Sequence, residues 1–159
     1  LSYSSVAVYY GNEAIAVGDA PSNTFTKVEV PDTVTFYTNF LRHITYNGGI
    51  DFKDGHAIVK DNENSSVTVN ITEVPDGKYG IYMNKLDAAI DRIGVRIADV
   101  TKIYDWRTVD LQPGKRDAEI YLGDVEIAHN TVPVVPINIM FRSDAPPGLI
   151  FNRIILRKK

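Results

Sequence analysis

Tyr104, Asp105, Trp106 and Arg107 put two aromatic rings, an anion and a cation into consecutive positions, and Trp106 is the only tryptophan of the chain. An indole in such company either anchors a core or forms an aromatic platform at the edge of a sheet. A platform offers a flat face for stacking while its charged neighbours replace water around a polar ligand. Both alternatives stand at this level.

Catalysis has less to build on. Glycoside hydrolysis needs two carboxylates held at a fixed separation across a cleft. Asp105 and Asp110 flank Trp106, but their odd spacing puts them on opposite faces of a continuous strand. His43, His56 and His129 are scattered without His-x-x-x-His spacing, and neither a Gly-x-Ser-x-Gly elbow nor a phosphate-cradling loop occurs. With no cysteine, a thiol nucleophile, a Cys-ligated zinc and an iron–sulfur cluster are excluded. Calcium takes oxygen ligands from distant positions, so Glu29, Asp32 and Asp51 stand as candidate donors, although none belongs to an EF-hand pattern. The expectation is a non-enzymatic protein with no catalytic residue.

The elements that must position these residues read as short strands. Val6–Tyr10 and Ala14–Val17 flank Gly11-Asn12; Thr24–Val30 alternates and stops at Pro31; Val34–Tyr37 and Leu41–Tyr46 precede the turn Asn47-Gly48-Gly49. His56–Lys60, Ser66–Thr72 and Tyr79–Met83 follow, separated by polar or Pro-Asp-Gly breaks. Leu86, Ala89, Ile90, Ile93 and Ile97 fall at helical spacing, but Gly94 interrupts them and Gly94-Val95-Arg96-Ile97 reads as strand, so at most a short helical turn is expected near Lys85–Ala89, with a strand from about Ile93. Arg107–Leu111, Ala118–Leu122, Val125–Ile127, Ile137–Phe141 and Leu149–Leu156 complete the set. Strands at this density predict an all-β sandwich or barrel in one domain over residues 1–159, with residues 1–25 as an extra N-terminal hairpin.

A length of 159 residues suffices for a core without staples. The formal charge of −3 with mixed signs gives no polyanion-binding signature, and the basic tail Arg153, Arg157, Lys158 and Lys159 reads as a solvated edge; no nucleic-acid partner is expected. No run approaches the ~20 apolar residues that cross a bilayer, so no membrane span is expected. An opening Leu1 leads us to expect a processed or excised segment. The sequons Asn64-Ser65-Ser66 and Asn70-Ile71-Thr72 are compatible with secretion or a cell-surface location.

Three segments in order resemble a known family. Residues 56–71 followed by Val74-Pro75-Asp76-Gly77-Lys78-Tyr79 are similar to the polar-loop, strand, Asp-Gly-x-Tyr core of galactose-binding-like β-sandwich modules. Trp106-Arg107-Thr108-Val109-Asp110-Leu111-Gln112-Pro113-Gly114 resembles their Trp-x-Thr-Val-x-Leu-x-x-Gly segment, and Asn152-Arg153-Ile154-Ile155-Leu156 their closing Asn-x-Ile-x-Leu strand. The resemblance spans about residues 26–157. It implies a jelly-roll β-sandwich of two antiparallel sheets, in many relatives a non-catalytic carbohydrate-binding accessory domain with neighbouring domains in a larger extracellular or cell-surface chain.

It also implies roles. Trp106 would stack on a sugar ring and Asn152 would hydrogen-bond sugar hydroxyls of a polysaccharide or oligosaccharide. To these we add, as our own expectation, Tyr104 or Tyr46 as a second wall and Asp105 and Arg107 as polar contacts. Relatives hold a structural calcium; here Glu29 and Asp32 are the nearest equivalents, and no other cofactor is expected. A structural or adhesion domain of an extracellular assembly is the alternative reading, and a small glycoside hydrolase the third.

Overall fold

The computed structural model describes residues 5–10, 13–18, 32–39, 41–130 and 132–159. Two units compose it, residues 1–32 and residues 33–159. In the first, β1 (Ser5–Tyr10) and β2 (Glu13–Gly18) pair antiparallel from Ser5↔Gly18 to Tyr10↔Glu13, the hairpin expected around Gly11-Asn12. The expected strand Thr24–Val30, and Glu29 with it, lies outside the described residues.

The second unit is a jelly-roll sandwich of two antiparallel sheets. Its strands are β3 (Thr33–Tyr37), β4 (Ile44–Asn47), β5 (Ile50–Lys53), β6 (His56–Val59), β7 (Ser65–Ile71), β8 (Gly77–Asp87), β9 (Arg92–Ala98), β10 (Arg107–Asp110), β11 (Ala118–Ile127), β12 (Val135–Arg142) and β13 (Leu149–Lys158). One sheet runs β10-β9-β12-β7-β4. The other runs β11-β8-β13-β6-β5, with β3 also on β13.

Period-two patterning explains the layering. In β7, Val67, Val69 and Ile71 are buried while Ser66, Thr68 and Asn70 stand on the other face, and Ile93, Val95 and Ile97 of β9 do the same against Gly94 and Arg96. The two inner faces meet in one core, where the rings of Phe141 on β12 and Phe151 on β13 lie 6.3 Å apart. Emptying such a position by a Phe→Ala change costs about 3–5 kcal/mol.

Turn chemistry sets the register. Asp54 (φ 54°) and Gly55 (φ 80°) both take positive φ, the type I′ requirement that closes the two-residue hairpin between β5 and β6. Asn47-Gly48-Gly49 links strands of different sheets, and a Cβ on Gly48 would meet the Asn64 carbonyl oxygen. That close approach admits only glycine.

The limit of at most one short helical turn near Lys85–Ala89 holds, and the described residues contain no helix at all, because β8 continues to Asp87 with Lys85 paired to Ala118 and Phe151. The apolar residues after it turn through residues 88–91 and re-enter as β9, so pairing on both sides of β8 overrides the local helical period. One expectation is corrected: Gly123-Asp124 does not break the chain into two strands. β11 is continuous, and its register shifts between Tyr121 and Gly123 as a bulge, with Gly123 at φ 147°.

Candidate functional site

Trp106 precedes β10, the edge strand of the five-stranded sheet. Register carries its surroundings across three strands: Thr108 pairs with Gly94, and Gly94 pairs in turn with Arg142. In the next row Arg96 faces Met140, which faces Ser66, which faces Asn47. Since Gly94, Arg96, Met140 and Ser66 share the outward parity, they form one solvated face beside the indole.

Gly94 leaves the notch through which Arg142 reaches the tryptophan. A Cβ there would sit 3.0 Å from Arg142 Cγ. The Arg142 guanidinium carbon lies 4.0 Å from the indole centroid and that of Arg96 5.8 Å, both within cation–π range. Arg96 Nε also donates to the Tyr104 carbonyl at 3.1 Å, which ties the side chain to the loop carrying Trp106.

The half-buried indole borders three open hollows of about 400, 480 and 450 Å3. At the sheet edge it shares the first with Tyr104, Asp105, Arg107, Gly123 and Asp124. Over the outer face the second is lined by Glu63, Arg92, Gly94, Thr108, Arg142 and Asp144 among others, and the third adds Asn64, Ser66, Asn138 and Met140. Asn138 Nδ2 donates to Thr68 Oγ1 at 3.1 Å, so amide and hydroxyl groups continue the polar surface inward along the sheet.

The acids and phenols near the edge hollow are held by their partners. Burial raises the Asp99 carboxyl, but hydrogen bonds from the Thr101 amide and hydroxyl, the Lys102 amide and the Tyr104 hydroxyl outweigh it and leave Asp99 below the usual carboxylate range. Burial, then the charge of Asp99, raises the Tyr104 phenol. Asp124 is lowered by hydrogen bonds from Lys159 and then Tyr121, and Tyr121 is raised by burial and its bond to Asp124. Arg107 stacks 4.8 Å over the Tyr121 ring.

Of the residues singled out in the sequence, Trp106, Tyr104, Asp105 and Arg107 are brought together around the edge hollow. Tyr46 and Asn152 line none of the three hollows. Tyr46 donates to the Thr38 carbonyl at 2.7 Å and stacks on Phe52 at 5.8 Å. Asn152 stands on β13 where β3 gives way to β6, at a register shift against β8. Its carbonyl accepts from the Thr38 amide and hydroxyl, and its Oδ1 accepts from Asn84 Nδ2 at 2.8 Å, the amide that also binds Asp117 Oδ1. Arg142, Arg96, Gly94 and Asn138 were not singled out in the sequence. Their outward parity was visible, but which strands lie beside Trp106 was not.

For calcium, Asp32 is exposed at the end of the first unit, Asp51 is committed to Lys60 at 2.9 Å, and no group of three or more His, Asp or Glu gathers among the described residues. Glu29 lies outside the described residues, and no step below is routed through a metal.

A family model described as a domain of unknown function, DUF8441, matches residues 35–159. Comparison with the curated proteins gave no match. Among solved structures, a GH26-CBM35 β-(1,4)-mannanase of Podospora anserina superposes with a TM-score of 0.56 at 14% identity over 80% of this chain and 28% of that chain. The isomalto-dextranase of Arthrobacter globiformis T6, complexed with panose, gives 0.54 at 16% over 83% and 24%. A family two carbohydrate esterase from Cellvibrio japonicus gives 0.52 at 11% over 80% and 34%. This chain thus spans about a quarter to a third of the length of the proteins it superposes on, and what it shares with them is the β-sandwich fold.

Proposed function

The chain belongs to the DUF8441 family, and from that premise we propose that its sandwich is a non-catalytic carbohydrate-binding module of an extracellular or cell-surface protein, with Trp106 as its stacking platform. One observation carries this reading: the only tryptophan of the chain is left half-buried at a sheet edge, bordering open hollows lined by carboxylates, guanidiniums, amides and hydroxyls. An indole whose sole task was packing would be enclosed by apolar neighbours. A sugar ring offers a C–H face to the indole and hydroxyls to the polar rim. The proteins whose folds resemble this one carry carbohydrate-directed names, which is consistent with the reading.

Asp105 and Asp124 share the edge hollow, and hydrogen bonds from Lys159 and then Tyr121 hold the Asp124 carboxyl below its ordinary range, which does not suit it to the part of a general acid. Affinity electrophoresis and titration of the indole fluorescence against neutral and acidic oligosaccharides test the proposal. Saturable binding lost in Trp106→Ala supports it. An emission maximum that no saccharide moves favours the structural or adhesion reading.

A further inference from the structure

Cations without an ion-pair partner are common among the described residues, and what sets the arginines around Trp106 apart is that three of them, Arg92, Arg107 and Arg142, line one hollow. Lys60, Arg116, Arg157 and Lys159 each have a carboxylate within ion-pairing distance. Arg92, Arg96, Arg107 and Arg142 have none among the described residues. Glu63 and Asp144 line the same outer-face hollow as three of them without closing a pair, so the hollow keeps an excess of positive charge on a chain whose net charge is −3.

The geometry also keeps hydrogen-bonding capacity open. Stacking uses the flat face of a guanidinium and leaves its N–H edge free, and that edge matches a carboxylate or sulfate in a bidentate fork. Arg142 lies on the indole at 4.0 Å, its stem passing over Gly94. Arg96 spends Nε on the Tyr104 carbonyl, which fixes the side chain while no hydrogen bond to a described residue occupies its terminal nitrogens. Two pre-oriented forks therefore border one aromatic ring.

Resting on the carbohydrate-binding reading, we propose that the outer-face site selects acidic saccharides, with the sugar ring against the part of Trp106 that Arg142 leaves uncovered and its anionic group on Arg142, with Arg96 behind the indole adding positive charge. The shared chemistry is a ring-borne carboxylate or sulfate. Neutral sugars would leave the Arg142 fork to water and gain only the stack.

The test is binding of the intact chain to polygalacturonate against its methyl-esterified form, and to sulfated against unsulfated galactan, at low salt and at about 0.5 M salt. Tighter binding of an acidic polymer than of its neutral counterpart, weakened by salt, is the expected result, and the arm that responds identifies carboxylate or sulfate. Arg142→Ala lowers the acidic affinity by roughly tenfold or more and the neutral affinity by much less, so that the preference for the acidic polymer collapses; Arg142→Lys, which keeps the charge and loses the fork, falls between. Thermal melts of both variants, with Lys60→Ala as a surface control, confirm folding. Equal binding of acidic and neutral polymers, lost in Trp106→Ala but indifferent to Arg142→Ala, overturns the selectivity and leaves the carbohydrate reading standing. Binding of no saccharide overturns both, and a preference for single-stranded oligonucleotides over every saccharide overturns the acidic-sugar assignment.

Discussion

Arg142 reaches across β9 to set its guanidinium carbon 4.0 Å from the centre of the Trp106 indole. The contact joins a residue at the end of β12 to one just ahead of β10, strands that do not pair with each other. What allows it is the absence of a side chain at Gly94, which lies between them.

Gly94→Ala tests that arrangement. The added Cβ would sit 3.0 Å from Arg142 Cγ and 3.2 Å from its carbonyl oxygen, so the stem must move away from the indole. We expect a stability loss of about 1–3 kcal/mol and a changed emission maximum of the single tryptophan. An unchanged spectrum would show that Arg142 does not need the notch.

Gly123→Ala should cost a similar amount without touching the stack. At φ 147° the backbone is in a region L side chains avoid, and the Cβ would lie 2.8 Å from Ile97 Cδ1. A loss of about 1–3 kcal/mol in urea denaturation is expected, and a neutral result would mean that the bulge relaxes.

Asn152→Ala should lower stability by about 1 kcal/mol, since it removes one of the two acceptors of the buried Asn84 amide, which is 3% exposed and keeps only its bond to Asp117 Oδ1. Saccharide affinity should not change. A selective loss of affinity at unchanged stability would return Asn152 to the binding site.

Tyr46 supplies an alkaline test. Burial, against a smaller opposing effect of the Thr38 hydroxyl, pushes its phenol up to about 12 from 10.0. The neutral form is favoured by folding, so this contribution is complete below pH 10 and is lost as pH rises from 10 towards 12. Tyr46→Phe should flatten the alkaline limb of the stability curve, at a cost of about 1 kcal/mol near neutrality for the lost hydrogen bond to Thr38. Identical alkaline limbs for the two proteins would rule this out.

Asp124 acts at the other end of the scale. Bonds from Lys159 and Tyr121 depress its carboxyl, so its contribution is present above the ordinary carboxylate range and disappears as pH falls through the lowered folded value. Asp124→Asn should therefore lower stability near pH 7 and converge with the parent at strongly acidic pH, as read from urea midpoints. A difference that persists at acidic pH would assign the effect to shape rather than charge.

The sequence by itself determined the class of the molecule. Alternation in Ser66–Thr72, the Asn47-Gly48-Gly49 turn and regular Gly and Pro breaks oblige the chain to make short antiparallel strands, because period-two burial and positive-φ turns are local properties. It also marked Trp106 with Tyr104, Asp105 and Arg107, which adjacency in the chain keeps together around one hollow. Tertiary structure decided the rest. Lys85–Ala89 carries a helical period, yet β8 is paired on both sides and stays extended to Asp87. Asn152 and Tyr46 were grouped with Trp106 on paper, but β13 and β4 set them in other hydrogen-bond networks. Arg142 and Arg96 join the indole only through the order β10-β9-β12 and its register. Which strand lies beside which is a long-range choice among many compatible pairings, settled by the packing of the whole core, and no local spacing encodes it.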